Sequence, residues 1–183
     1  MIDYKIAVVV GSLRQDSFNR KLADAVVSMA PSYFLFKQLQ IGNLPLYNQD
    51  DDDNQAESVK QMKSEIKSAH GILFVTPEYN RSIPGVLKNA IDHASRPFGQ
   101  SAWLGKPAGI LGVSPDTTGT AMAQQHLRNV LATLDMPTLG QPEVFIQARP
   151  GLFDEESNIG ADSKILLQSW MDRYAAWVKK HTA

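Results

Sequence analysis

KIAVVVGSLRQDSFN, residues 5–19, couples an unbroken β-branched run to a short polar loop and then to the start of a periodic segment. Lys5 to Val10 has no polar alternation, as expected of a strand buried on both faces of a parallel sheet rather than one with a wet side. It stops at Gly11. From Ser17 onward, Phe18, Leu22, Val26 and Met29 recur at three- and four-residue spacing, which predicts an amphipathic helix ending before Pro31. The unit is therefore strand, loop, helix, and the same alternation continues.

Tyr33 to Leu39 reads as a second strand, and Ile41 to Asp53 as a loop rich in Asn, Pro and Asp, with Asp53 or Asn54 placed to cap a helix carrying Val59, Met62 and Ile66 on one face. Gly71 to Val75 is a third strand, followed by a helix beginning near Ile83-Pro84 with Val86, Leu87, Ala90, Ile91 and Ala94 as its apolar stripe. Pro107 to Val113 is a fourth strand, Met122 to Leu134 a helix, and Leu139 to Ile146 a shorter fifth strand. Past Pro150 and Gly151 a closing helix sets Leu166, Trp170, Tyr174 and Trp177 on one face. Five strands alternating with five helices predict an α/β three-layer sandwich, a five-stranded parallel sheet with helices on both faces. For the order 2-1-3-4-5 the ligand crevice falls between strands one and three, so the loops Gly11 to Asn19 and Thr76 to Ser82 should lie side by side.

At 183 residues, folding buries roughly 70% of the surface an unfolded chain exposes, enough for one domain, 1–183, without staples. There is no cysteine, so disulfides and thiol chemistry are out of reach, and His70, His93, His126 and His181 have no metal-site spacing. A net charge of −1 offers no general field for nucleic acid or an anionic membrane. The amino terminus, Met1-Ile2-Asp3-Tyr4-Lys5, runs straight into the first strand without a basic leader, and no apolar run approaches the ~20 residues of a membrane span. The expected location is the cytoplasm.

The loop Gly11 to Asn19 joins a strand end to a helix start, where unpaired N–H groups and the helix dipole suit a phosphate. Ser12, Ser17 and Asn19 add donors, and Arg14 adds a charge-assisted bond. A structural alternative has Ser17 simply capping the helix and Arg14 solvated. With Gly11 as its one glycine the loop is neither a Walker A motif nor a GxGxxG fingerprint, and the chain lacks a GxSxG elbow, which argues against NTPase and serine-hydrolase chemistry. In the second loop, Thr76-Pro77-Glu78-Tyr79-Asn80, Pro77 restrains the turn, backbone amides can bond the polar edge of a flat heterocycle, and Tyr79 can pack beside it. Its structural alternative is a loop with Asn80 or Ser82 capping the next helix.

GSLRQDSFN at Gly11 to Asn19, TPEYNRSIPGVLKNAIDHASR at Thr76 to Arg96 and GKPAGILGVSPDTTGTAMAQQHLR at Gly105 to Arg128 together resemble the NADPH-dependent FMN reductase family, the flavodoxin-like group of quinone, azo and chromate reductases. The resemblance covers nearly the whole chain in order. It implies FMN as cofactor and NADPH or NADH as donor. Ser12, Arg14, Ser17, Phe18 and Asn19 would sit at the FMN phosphate, Pro77, Glu78, Tyr79 and Asn80 along the isoalloxazine edge, and Ser114 with Gly119 beside the flavin. It implies ping-pong chemistry in which reduced nicotinamide passes hydride to flavin N5 and leaves, and a quinone, azo or nitro compound or a metal oxyanion then takes the electrons. No side chain is expected to be catalytic, since the flavin carries the chemistry. A homodimer or homotetramer is implied, with Lys88 and Asp92 structural or at a subunit contact. The sequence departs from the family's pattern at Arg81, where many relatives carry an aromatic, and in a less glycine-rich Pro115 to Thr118.

Two rivals share the scaffold: a flavodoxin-type carrier that does not oxidise nicotinamide, and a flavin-free interaction domain. Other conspicuous residues read as structural. Asp50 to Asp53 lack the glycine and glutamate of a calcium loop and suit a solvated loop with a helix cap. His93 and His126 read as packing or surface residues, Trp170 and Trp177 as core, and Trp103 as lining the acceptor site or, preferably, a subunit interface.

Overall fold

The computed structural model describes residues 3–154 and 158–182; Met1 and Ile2 of the amino-terminal segment discussed above lie outside them. β1 (Tyr4–Val10) is the central strand. It pairs in parallel with β2 (Phe34–Gln38) on one side and β3 (Gly71–Val75) on the other, in registers Tyr4 to Phe34 and Ile6 to Gly71. β4 (Ala108–Leu111) adds to β3, so the order is β2-β1-β3-β4, the expected flavodoxin-like arrangement with its reversal between β1 and β3.

The β1 run is continuous because both of its faces are covered. Ile6, Val8 and Val10, with Leu73, Val75 and Leu111, meet α1 (Phe18–Ser28) and α5 (Ala161–Thr182). Ala7 and Val9, with Ile72, Phe74 and Ile110, meet α2 (Glu57–Ser68), α3 (Gly85–Ala94) and α4 (Ala121–Thr133). Each aliphatic side chain buried this way contributes about 1.5–3 kcal/mol relative to exposure.

The fifth strand departs from expectation. β4 ends at Leu111, and after Gly112 the two-residue β5 (Val113–Ser114) pairs with β6 (Ile146–Gln147), while Thr138 bridges to Ala108. Between those anchors the β4–β5 side advances five residues and its partner eight. The surplus loops out of the ladder, so most of Leu139 to Ile146 is irregular. Gly140 offers no side chain to pack and Pro142 no N–H to donate, and both disfavour a continuous strand.

Three further expectations are corrected. Asp53 and Asn54 lie in a 3-10 turn, Gln49–Asn54, opened by Asn48, and do not cap α2, whose N-cap is Ala56. On α5 the buried stripe is Leu167, Trp170, Met171, Tyr174 and Val178; Leu166 is 48% exposed and Trp177 half-buried, its Nε1 donating to the Pro137 carbonyl at 3.0 Å. Trp103 is fully buried against Phe74 and donates from Nε1 to the Ile91 carbonyl at 3.0 Å, so it lines neither an acceptor site nor an interface. The segment around it folds inward through the bond from Ala102 N to Ala94 O, 2.8 Å.

Trp170 and Tyr174 stack at 5.3 Å in the α5 core, and the Tyr174 hydroxyl has no hydrogen-bond partner among the described residues. Burial pushes its pKa well above the usual tyrosine value, so it stays neutral. Replacing an unpaired buried hydroxyl by hydrogen removes a desolvation penalty. Tyr174→Phe is therefore expected to leave stability unchanged or raise it by up to about 1 kcal/mol in urea unfolding; a clear loss would mean that the hydroxyl is bonded.

Candidate functional site

The first two loops lie side by side, as the topology requires. Gly11 N donates to Val75 O at 2.9 Å, and a side chain on Gly11 would meet Thr76 Oγ1 at 3.0 Å and Pro77 Cδ at 3.4 Å. Glycine is what allows this approach.

In the first loop Ser17 does cap α1, its Oγ accepting from Arg20 N at 3.3 Å, and the Ser12 hydroxyl accepts from Arg14 N at 3.3 Å. Both serines are buried, Ser12 just past the end of β1 and Ser17 at the helix start. The amides of Leu13, Gln15, Asp16, Phe18 and Asn19 make no hydrogen bond among the described residues, and the exposed Arg14 guanidinium has no partner among them. Unused donors plus an unpaired cation at a helix amino terminus match a phosphate. Asn19 plays a different part from the one its sequence position suggests. Its carboxamide is buried and grips Val113 at both ends, Nδ2 donating to Val113 O at 2.9 Å and Oδ1 accepting from Val113 N at 3.0 Å. Its side chain braces α1 against β5, while its backbone amide is unbonded among the described residues. Phe18, next to the cap, is partly exposed.

The second loop ends in a tight hairpin: Tyr79 N donates to Ser82 O at 2.9 Å and Ser82 N to Tyr79 O at 3.0 Å. Its two central residues, Asn80 and Arg81, have φ of 51° and 65°, the left-handed pairing of a type I′ turn. Asn80 and Ser82 therefore shape the hairpin and do not cap α3, which opens at Pro84. The hairpin uses the Tyr79 amide, leaving those of Glu78 and Asn80 unbonded among the described residues. Pro77 is buried and the Tyr79 ring is 48% exposed. The nearly buried Glu78 carboxylate accepts from Ala123 N, in the first turn of α4, at 3.0 Å through Oε2, while Oε1 lies 3.6 Å from Arg81 Nη1. His126, read as a packing or surface residue, holds the base of the hairpin through Nδ1 and Ser82 Oγ, 2.9 Å apart. These ties join residues 44 or 45 positions apart, a distance at which sequence carries no signal.

The third loop closes on itself. Ser114 Oγ donates to Gly119 O at 2.6 Å and accepts from Asp116 N at 3.2 Å, while Gly119 adopts φ 60° where a side chain would strike the Phe145–Ile146 backbone. Ser114 and Gly119 thus shape the wall beside the first two loops.

The crevice at the ends of β1 and β3 measures about 410 Å³ and is lined by Gly11, Leu13, Arg14, Tyr79, Pro84, Gly85 and Val86. A larger groove, about 600 Å³, runs along the α3–α4 flank past Lys88, Asp92, Phe98 and Leu104, and contains no residue of the three loops. His93 faces away from the crevice, its Nε2 2.9 Å from Pro45 O. Among the described residues no cluster of His, Asp or Glu is arranged to hold a metal ion.

The family model for NADPH-dependent FMN reductase matches residues 4–150. The chain belongs to the NADPH-dependent FMN reductase family. As a member it is a flavin-dependent oxidoreductase that works with FMN and reduced nicotinamide. It is 55% identical over 176 residues to a 2-hydroxy-1,4-benzoquinone reductase of a Burkholderia species, with 96% of each chain covered. It is also 46% identical over 181 residues to a quinone reductase of Pseudomonas putida, covering 98% of this chain and 97% of that one. The structure superimposes with TM-score 0.93 on FerB, a flavoenzyme NAD(P)H:(acceptor) oxidoreductase from Paracoccus denitrificans, at 40% identity over 97% of this chain and 98% of the other. For this FMN reductase, the unused amides, the unpaired Arg14 and the glycine gap at residue 11 fit a phosphorylated flat cofactor.

Proposed function

We propose that this chain is an NAD(P)H:quinone oxidoreductase that uses FMN, with small quinones, 2-hydroxy-1,4-benzoquinone first among them, as electron acceptors. One observation carries the reading: the exposed Arg14, unpaired among the described residues, and the half-exposed Tyr79 line one crevice at the strand reversal, on two loops that carry unbonded amides. FMN, when bound, supplies the hydride and electron-transfer chemistry. The Arg14 guanidinium and the amides of Leu13, Gln15, Asp16, Phe18 and Asn19 would hold its phosphate, with Ser12 and Ser17 beside them. The Glu78 and Asn80 amides hold the ring edge, Pro77 fixes their turn, Tyr79 packs beside the ring, and Ser114 with Gly119 forms the neighbouring wall. These donors are set by backbone geometry before any ligand arrives, so little reorganisation accompanies charge uptake. No side chain serves as acid or base.

An open crevice admits flat acceptors of several kinds, so azo and nitro compounds and oxyanions such as chromate belong to the same proposal. The proposed assembly is a homodimer or homotetramer through the α3–α4 groove, whose rim carries Phe98, 90% exposed, and Leu104, 61% exposed. Sedimentation velocity checks it; a Phe98→Asp variant should sediment as a smaller species, and a wild-type monomer rules it out. Among the described residues no helix is long and apolar enough to cross a membrane, and the proposed setting is the cytoplasm, without nucleic-acid partners.

The test is steady-state NADPH and NADH oxidation by the flavin-loaded protein with 1,4-benzoquinone, 2-hydroxy-1,4-benzoquinone, an azo dye and chromate, under anaerobic conditions. Parallel double-reciprocal lines are expected with the quinones. A yellow protein that turns over none of them would be a carrier, and a colourless one that takes up no FMN would be an interaction domain.

A further inference from the structure

Arg81 sits at the second central position of the hairpin, at φ 65°, where glycine is the favoured residue. Its side chain is 63% exposed, yet one nitrogen, Nη1, reaches three groups: Glu78 Oε1 at 3.6 Å, Asp116 Oδ2 at 3.8 Å and Thr118 Oγ1 at 3.4 Å. Two of these belong to the loop Pro115 to Thr118, which the Ser114 to Gly119 bond closes into a small ring. The rest of the hairpin is already fastened to α4, through Glu78 to Ala123 N and Ser82 to His126. Among the described residues, the polar link between the 116–118 tip and the hairpin is Arg81.

Charge decides between two roles for this residue. A guanidinium meant to grip an anionic acceptor would be left uncompensated, as Arg14 is. Arg81 instead stands between two carboxylates, so the trio sums to −1 and offers an incoming anion no net attraction. On the reading of the crevice as a flavin and acceptor site, we propose that Arg81 is a positioning residue: a latch that holds the 115–118 loop against the Tyr79 hairpin and thereby sets the separation between two walls of the site. Tyr79, two residues before Arg81, lines the crevice, so releasing the latch widens the entrance beside that ring.

The turn itself supplies a clean variant. Arg81→Gly creates Asn-Gly, the preferred pair for a type I′ turn, so the hairpin is kept while the latch is lost. In hydrogen exchange of the flavin-loaded protein at low salt, amides of residues 116–120 should exchange about five-fold faster in Arg81→Gly than in wild type, the scale expected for exposed ion pairs. Raising salt to about 1 M should bring wild type towards the variant, which itself should not respond. Arg81→Lys should recover part of the protection. Combining Asp116→Asn with Thr118→Ala removes the other end of the latch without touching the turn; it should loosen the loop equally and add nothing to Arg81→Gly. The KM for a bulky azo dye, relative to that for 1,4-benzoquinone, should fall about five-fold in both variants, from the same loop opening. Equal exchange in wild type and Arg81→Gly, loosening by only one end of the latch, or an unchanged KM ratio would overturn the proposal. Failure to bind FMN would instead sink the reading of function, while the exchange comparison, run on the flavin-free protein, would still judge the latch.

Discussion

Arg14→Ala is expected to weaken FMN binding about 10- to 100-fold while shifting the melting temperature of the flavin-free protein by no more than about 2 °C. The guanidinium is exposed and has no partner among the described residues, so the folded apoprotein loses no interaction when it is removed. The phosphate, by contrast, loses a charge-assisted bond, worth about 1.5–3 kcal/mol. Arg14→Lys keeps the charge but not the planar fork, and should fall between the two. Fluorescence titration of apoprotein with FMN gives the affinity and a thermal melt gives the control. An unchanged dissociation constant would remove the phosphate from this loop, and with it the assignment of the crevice.

Asn19→Ala should show the opposite pattern. Removing the carboxamide strands both the N–H and the C=O of Val113 in a buried position, at about 1–3 kcal/mol for each unpaired group. We expect a loss of about 3 kcal/mol in urea unfolding of the apoprotein, equivalent to a drop of roughly 6–12 °C in Tm for a chain of this size. Asn19→Asp should not restore stability, because an ionised carboxylate accepts from Val113 N but places its second oxygen against Val113 O. FMN affinity should fall only as far as α1 and β5 separate. Intact stability with a large loss of FMN affinity would show Asn19 to be a direct phosphate ligand. The two variants together separate a residue that touches the cofactor from one that holds the loop which does, though both sit in the same nine-residue motif.

That contrast marks where legibility in the sequence ends. Gly11, Ser12, Arg14 and Ser17 stand out as candidates in the sequence because a loop between a buried strand and an amphipathic helix leads into a first helical turn that presents free donors. Asn19 has the right chemistry for a phosphate, and nothing local says that its amide is claimed by Val113, 94 residues away. Glu78 is a similar case: its carboxylate belongs to the α4 amino terminus, while the amide beside it is left for a ligand. Arg81 and Pro115 to Thr118 are separate departures from the family's pattern in the sequence, and the fold brings them into contact.

The alternation of buried strands with amphipathic helices, read from periodicity alone, determined a parallel sheet covered on both faces, since this follows from hydrophobic pattern and the need for crossovers; the order β2-β1-β3-β4, which places the crevice, is seen only in the fold. Tertiary structure alone decided the broken fifth strand, the inward Trp103 and which loop side chains, Asn19 and Glu78 among them, are taken up in bracing neighbouring elements. A strand's register and a polar side chain's partner depend on which distant groups are left unpaired when the layers close, and that is a property of the packed molecule rather than of any window of its chain.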